Sequence, residues 1–240
     1  MNNNKTTAVI LASGGLDSFL CWYIFEQDAL NIFVDIGHKY VRKERAALRN
    51  LQNQIPNFKV IEHSGSQIGP LEDDASGIIP NRNAELILGA SAYGESIYFG
   101  VIKDEINSDK SPEFINAIED VLNISNRKQY WTEGKTYRIL TPAMEYNKTD
   151  LIKMYLAQGG SVAHLELTVS CYSDTEQHCG ECPSCFKRWV AFKNNNIPFA
   201  TLNDPMLFAH KHNIIEKCTN GTYTNDRANE IMAAIENNAK

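Results

Sequence analysis

The sequence predicts an α/β fold: a Rossmann-like parallel sheet with helices on both faces, followed by a smaller helical C-terminal region. Three observations carry that expectation. Apolar strand-like runs alternate with stretches of helical spacing through the first part of the chain, the pattern of repeated strand–helix units. The opening run, Ala8-Val-Ile-Leu-Ala12, is continuously apolar, as a strand covered on both faces must be. Four of the six cysteines crowd into residues 171–185, within a second segment that carries helical stretches to the end. The expected division is residues 1–160 for the α/β domain and 161–240 for the C-terminal region.

Composition bounds what such a chain does. Its 240 residues, 43% of them apolar, suffice for a full core with one elaboration. A net charge of −6 argues against a broad phosphate-binding face for tRNA or DNA, which needs a surplus of Lys and Arg. No apolar run approaches the roughly 20 residues that span a bilayer. Met1-Asn-Asn-Asn-Lys5 lacks the basic and apolar regions of a secretory signal, so the expected location is the cytoplasm, with no membrane partner.

Taken in order, residues 7–12 form the first strand, and Leu16, Phe19, Leu20, Tyr23 and Ile24 share one helical face behind it. A second strand spans 31–35, a charged helix runs from about 39 to 54, and a third strand covers 58–62. Residues 63–80 carry Gly, Ser, Pro and acids without periodicity and read as a loop that orders over the site. A helix from about 84 to 96, capped by Asn83, leads to a strand at 97–102. Ser111 caps the next helix, with Pro112 at its first position and Glu113 in its first turn. Arg138–Pro142 reads as the last strand. Asn147-Lys-Thr-Asp150 opens a helix over 151–157, and the tail is helical from 225 to 237.

The chemistry gathers where the first strand ends. A strand that runs through Ser13-Gly14-Gly15 into a helix aims unpaired backbone N–H groups at one point, and that point attracts phosphate. The two glycines permit close approach, and Ser13 and Ser18 add hydroxyl donors. Asp17 would repel a polyphosphate unless a cation lay between them, so it reads as a Mg²⁺ partner. Asp35 and Gly37 fall at the end of the second strand, on the ligand edge of such sheets. His38 reads as a surface residue. Arg82, behind Pro80, is placed to grip a phosphate or carboxylate. Lys148 stands at a helix start, where the dipole disfavours a cation unless an anion is near.

The second constellation is Cys171, then Cys179-Gly-Glu-Cys182-Pro-Ser-Cys185. Four thiolates at this spacing close a tetrahedron around zinc better than they hold an iron–sulfur cluster. With every position filled by sulfur, the ion is structural. His178 lies beside a ligand; Cys21 and Cys218 read as plain thiols.

The Ser13-Gly-Gly-Leu-Asp-Ser18 string resembles the pyrophosphate (PP) loop of the ATP-pyrophosphatase superfamily, whose members adenylate a substrate. It lacks the Lys of the Walker loop. In register with it stand Asp35-x-Gly37, Pro80-x-Arg82-Asn83, Pro112-Glu113-Phe114, Lys148-Thr149-Asp150, Ser170-Cys171-Tyr172 with the rest of the knuckle, and Arg188 and Phe192. From about residue 7 to 193 the chain resembles the 7-cyano-7-deazaguanine synthases, the QueC family. That resemblance implies an adenine nucleotide alpha hydrolase-like fold, ATP, Mg²⁺ and Zn²⁺ as cofactors, and a cytoplasmic homodimer. It implies nucleotide contacts from Leu11, Ala12, Ser13, Gly14, Gly15, Leu16, Asp17, Ser18, Asp35 and Gly37. Catalytic roles fall to Asp17, Arg82 and Lys148, and substrate contacts to Arg82, Asp109 and Glu113.

The implied reaction is carbon–nitrogen ligation: 7-carboxy-7-deazaguanine and ammonia become 7-cyano-7-deazaguanine (preQ0) in queuosine biosynthesis, through an acyl-adenylate and an amide. One stretch departs from the family pattern. Where members carry Tyr-Pro-Asp-Cys-Arg, this chain reads Asn107-Ser-Asp109-Lys-Ser111, keeping the acid and losing the Cys-Arg pair. Two further expectations follow: a paralogue in a defence or nucleic-acid modification system that stops at the amide or conjugates it to a macromolecule, and a nucleotide-binding module without turnover.

Overall fold

The computed structural model describes residues 7–74, 76–173 and 175–238, so the Met1–Lys5 stretch lies outside the described residues. Five strands form one parallel sheet: β1 (Ala8–Leu11), β2 (Leu30–Asp35), β3 (Val60–Ser64), β4 (Ser96–Tyr98) and β5 (Arg138–Leu140). Their order is β3-β2-β1-β4-β5. The chain winds outward from β1 to β3 and then returns to the other side of β1. A reversal of this kind opens a crevice beyond the carboxyl ends of β1 and β4, where ligands of open α/β sheets sit.

Burial explains the strand composition. Val9 and Ile10 are fully buried and Leu11 nearly so, which an alternating one-sided strand would not show. One face packs Val9, Leu11, Ile32, Val34, Ile87 and Ile97 into a common core. On the other face Trp22 of helix α1 (Leu16–Phe25) meets Phe58 edge-on, with ring centroids 4.8 Å apart.

Helix α2 (Val41–Gln54) follows β2, helix α3 (Arg82–Ala90) precedes β4, and helix α4 (Pro112–Ser125) lies between β4 and β5. Several boundaries differ from those the sequence suggests. Helix α3 begins at Arg82, and its cap position is Asn81, held left-handed at φ 58° with no side-chain cap bond. Asn83 is therefore not a cap; it is buried inside the first turn and donates from Nδ2 to the Asp109 carbonyl. Strand β4 stops at Tyr98, because only three residues register with β1 and with β5. Strand β3 lies two residues later than expected and reaches Ser64. Residues 65–69 then double back, and the Gly69 N–H donates to the Ile36 carbonyl at 2.7 Å.

The chain separates into two compact units, Met1–Glu145 and Tyr146–Lys240, a division that falls before residue 160. The cause is helix α5 (Lys148–Ala157), which packs on helix α7 (Pro183–Asn194). Helices α6 (Val162–Glu166), α8 (Pro205–Lys211), α9 (Ile214–Thr219) and α10 (Asn225–Asn238) complete the second unit. Its core joins Phe186, Trp189 and Val190 of α7 to Phe208, Ile214, Ile231 and Ala234. Glu230 on α10 is buried because Thr149 and Arg227 bond its carboxylate. No described helix is long and apolar enough to cross a membrane.

Two caps match the sequence expectation. The Ser111 hydroxyl accepts from the Phe114 N–H at 3.1 Å, and Asn147 Oδ1 accepts from the Asp150 N–H at 2.8 Å. Ser111→Ala should lower stability by about 1 kcal/mol, read from the urea midpoint at unchanged slope. An unchanged midpoint would show that α4 does not depend on its cap.

Candidate active site

Between β1 and α1 the Ser13–Ser18 turn closes on itself. Ser18 Oγ accepts from the Ser13 N–H and donates to the Gly15 carbonyl, Ser13 Oγ accepts from the Gly15 N–H at 3.2 Å, and the two hydroxyls lie 3.3 Å apart. Gly14 has φ +66°, and a Cβ there would stand 2.7 Å from the Glu44 carbonyl oxygen of α2. Only glycine allows that approach. The cap position of α1 is Gly15, which has no side chain to satisfy the first-turn donors. The helix start therefore keeps its partial positive charge facing the crevice. Leu11, Ala12 and Leu16 are buried and anchor the turn, while Asp17 is half-buried in the first helical turn. A Cβ on Gly100, just past β4, would lie 3.4 Å from the Asp17–Ser18 backbone. One turn behind Asp17, burial pushes the Cys21 thiol up to about 12, and the Asp17 carboxylate adds to the effect. Cys21 is packing, not a nucleophile.

Asp35 ends β2 with its carboxylate committed within the fold. Oδ1 accepts from the Gly37 N–H at 2.8 Å, and Oδ2 pairs with Arg45, whose guanidinium also pairs with Glu62. Gly37 turns left-handed at φ +75°, against the Gln67 side chain. His38 is not a surface residue: it is 3% exposed, and its Nε2 lies 2.8 Å from the Glu44 carboxylate. Sequence reading missed this pair and Arg45, because the partners sit six and ten positions away across a strand–helix turn.

A second cluster forms where residues 108–110 meet the start of α3. Asn83 Nδ2 reaches the Asp109 carbonyl, so Arg82 and Asp109 come from neighbouring segments. Among the described residues, buried Arg82 Nε has no hydrogen-bond partner. Asp109 is half-buried rather than buried, Lys110 pairs with Glu105 at 2.8 Å, and Glu113 is exposed at the head of α4. Lys148 lies in the second unit, 7% exposed at the first position of α5.

The four cysteines converge as their spacing suggests. Sγ atoms of Cys171, Cys179, Cys182 and Cys185 lie within 4.8 Å of one another, and those of Cys179 and Cys185 are 3.9 Å apart. A tetrahedral ion with Zn–S bonds of ~2.3 Å spaces its sulfurs by about 3.8 Å, so the set fits a zinc-sized ion. Backbone N–H groups point at the sulfurs: Cys179 N–H at Cys171, Glu181 N–H at Cys179 and Cys185 N–H at Cys182, each at 3.4 Å. Such donors stabilise thiolate. The contact with Cys185 holds the Cys182 thiol down at about 4 and pushes the Cys185 thiol up. Gly180, at φ +81°, turns the knuckle so tightly that a Cβ would lie 1.9 Å from the Asn203 carbonyl oxygen. Arg188, 1% exposed, donates to Leu165, Thr168 and Ser170 and lies 4.6 Å from the Phe192 ring, fixing the segment that delivers Cys171.

A parallel sheet with a glycine-bearing anion turn at its switch point, joined in sequence to a four-thiol knuckle, defines an α/β protein of the nucleotide-binding type. Comparison with known proteins narrows the class. Residues 70–196 match the model of the family described as Queuosine biosynthesis protein QueC. A 7-cyano-7-deazaguanine synthase of Prochlorococcus marinus subsp. pastoris is 30% identical over 230 residues, covering 82% of this chain and 100% of its own length. Another, from Acetivibrio thermocellus, is 29% identical over 215 residues, covering 79% and 94%. Among solved structures, the U34-tRNA thiolase NcsA from Methanococcus maripaludis with its [4Fe-4S] cluster aligns with a TM-score of 0.42 at 13% identity, over 72% of this chain and 61% of that one. The chain belongs to the QueC family and is an enzyme of the carbon–nitrogen ligase type.

Cys182→Ser tests the thiol cluster cleanly. Cys182 also caps α7, and serine is the better cap, so a loss of stability would point to a metal held by the cluster. The purified variant should lose its bound metal by elemental analysis and melt earlier, while Cys218→Ser keeps both. Normal metal content in the Cys182 variant would remove the cluster from consideration as a metal centre.

Proposed function

We propose that this enzyme converts 7-carboxy-7-deazaguanine and ammonia to 7-cyano-7-deazaguanine in two successive ATP-dependent adenylations. The observation that carries the reading is the self-closed Ser13–Ser18 turn at the switch point, in a chain of the QueC family. Its preorganised hydroxyls and uncapped helix start suit the β and γ phosphates of ATP. In the first step a carboxylate oxygen attacks the α-phosphorus and pyrophosphate leaves. Ammonia then adds to the acyl carbon, AMP departs, and an amide remains. In the second step the amide oxygen is adenylated, pyrophosphate leaves again, and loss of both N–H protons and of AMP, which carries away the amide oxygen, yields the nitrile. Adenylate is a far better leaving group than oxide or hydroxide, which is why ATP is used twice.

The chain's own residues then divide the work. Asp17 takes the role of Mg²⁺ partner; the ion would screen the departing pyrophosphate. Arg82, with its buried unpartnered Nε, is suited to an anionic oxygen of the substrate, and Lys148 is assigned to phosphate. Asp109 is assigned to the N–H and amino donors of the guanine-like edge, with Glu113 following at the head of α4. Asp35 and Gly37 shape the neighbouring turn of the nucleotide site. The thiol knuckle holds zinc as a structural ion, since four sulfurs leave no open position. The enzyme works in the cytoplasm on small-molecule substrates.

Incubation with ATP, Mg²⁺, ammonia and 7-carboxy-7-deazaguanine should release AMP and pyrophosphate and give a product with the nitrile mass. A product that stops at the amide would remove the second adenylation, and absence of AMP would remove the whole reading. Asp17→Asn should cut the rate of pyrophosphate release by at least about 100-fold; an unchanged rate would dismiss Asp17 as the ion's partner. Asp109→Ala should raise the KM for the acid at least tenfold while leaving that for ATP within about twofold. Equal losses for both substrates would put Asp109 outside the base pocket.

A further inference from the structure

The C-terminal helix α10 carries none of the chemistry assigned above, yet it buries an acid. The Glu230 side chain is 5% exposed, and one of its carboxylate oxygens pairs with Arg227 at 3.0 Å, one turn earlier on the same helix. The other accepts from the Thr149 hydroxyl of α5. Replacing a buried ion pair by packed apolar side chains is commonly neutral or stabilising, so stability alone does not call for an acid here. The helix is already anchored without it, by Ile231 and Ala234 against Phe186, Trp189 and Val190 of α7. What a buried carboxylate adds is register, because its hydrogen bonds admit few alternative geometries.

The register it sets is that of the first turn of α5, in which Lys148 is the first residue. Helix starts fray, because their N–H groups lack partners within the helix. This one is pinned from three directions: Asn147 Oδ1 accepts from the Asp150 N–H at 2.8 Å, the Thr149 hydroxyl donates to Glu230, and the Thr149 carbonyl accepts from Asn195 Nδ2 at 3.1 Å. The two outside anchors are tied to each other. Asn194, beside Asn195 at the end of α7, donates from Nδ2 to the Glu230 carbonyl at 2.8 Å. Helices α7 and α10 thus hold Thr149 by its carbonyl and its side chain at once, next to the lysine. A carboxylate at this end of α5 is also favoured by the helix dipole.

A lysine carries its ammonium on a flexible four-carbon stem, and the direction of that stem is set first by the backbone it leaves. Lys148 is 7% exposed, so its stem is confined and a rotation of the first turn is passed on to the ammonium. We infer that Glu230 is a positioning residue: through Thr149 it sets the first turn of α5, and so the reach of the Lys148 ammonium toward a phosphate of the nucleotide. The inference rests on the assignment of Lys148 to phosphate made above. It adds that the C-terminal helix, and not α5 alone, governs that contact.

Equilibrium binding separates this role from a structural one and needs no turnover. With Mg²⁺ and the analogue α,β-methylene-ATP, Lys148→Ala should weaken binding to the full chain by at least about 30-fold. Thr149→Val, which keeps the shape and loses the hydroxyl, and Glu230→Ala should each weaken it about tenfold, while affinity for adenosine, which offers no phosphate, stays within about twofold. Thr149→Ser, which restores the hydroxyl, should bind the analogue like the wild type. In the Lys148→Ala background Glu230→Ala should cost less than about twofold more, because no ammonium is left to place. Ile235→Ala, which strips packing from the same helix and leaves the hydrogen bonds alone, should melt earlier and bind the analogue normally. Full analogue affinity in both Thr149→Val and Glu230→Ala overturns the inference and leaves the lysine assignment standing. So does an equal loss of adenosine affinity, or a Glu230→Ala loss that recurs undiminished without Lys148. A wild-type chain that ignores the analogue, or a Lys148→Ala variant that binds it as well as the wild type, removes the assignment itself and the inference with it.

Discussion

The ligand edge depends on one close approach, that of Gly14 to the Glu44 carbonyl at 2.7 Å from where a Cβ would stand. Because no other residue fits there, the turn after β1 can lie flat on α2 and present its helix start to the crevice. The placement of α2 is set in turn by what leaves β2. His38 reaches the Glu44 carboxylate, and Arg45 ties Asp35 to Glu62. An acid that looked like a ligand contact is thereby also the clamp that orients the helix behind the anion turn. Asp35 acts on the site through geometry, by holding Gly37 and Arg45, whatever else approaches it.

The second unit rests on a comparable constraint. Gly180 allows the knuckle to pass under the Asn203 carbonyl, and Arg188 draws four carbonyl and hydroxyl oxygens around the chain that supplies Cys171. Thiols so placed repel one another once ionised unless a cation is shared among them. The opposed displacements of Cys182 and Cys185 express that conflict, which a metal shared among the four sulfurs would relieve.

The connection from β4 to β5 carries two separate features. Its first part carries Asp109 and Lys110 beside the head of α3; its last part carries the Tyr130–Trp131 aromatic pair. Both hang from α4, whose inner side packs Ile115 and Leu122 into the core.

Much of the α/β architecture was legible in the chain: continuous apolar runs for two-sided strands, glycine punctuation at the anion turn, serine and asparagine caps at α4 and α5, and cysteine spacing for the knuckle. These are local signals, fixed by steric rules and by periodicity over a few residues, and they survive without knowledge of the rest. What the sequence could not decide were matters of partnership. His38 looked like a surface residue until α2 folded over it, Asn83 looked like a cap until the 108–110 turn came to meet it, and α5 looked like part of the sheet domain until it packed on α7. In each case the deciding contact joins residues that chain order does not pair in any recognisable pattern. Burial and hydrogen bonding are properties of a three-dimensional neighbourhood, and only the tertiary structure supplies the neighbour.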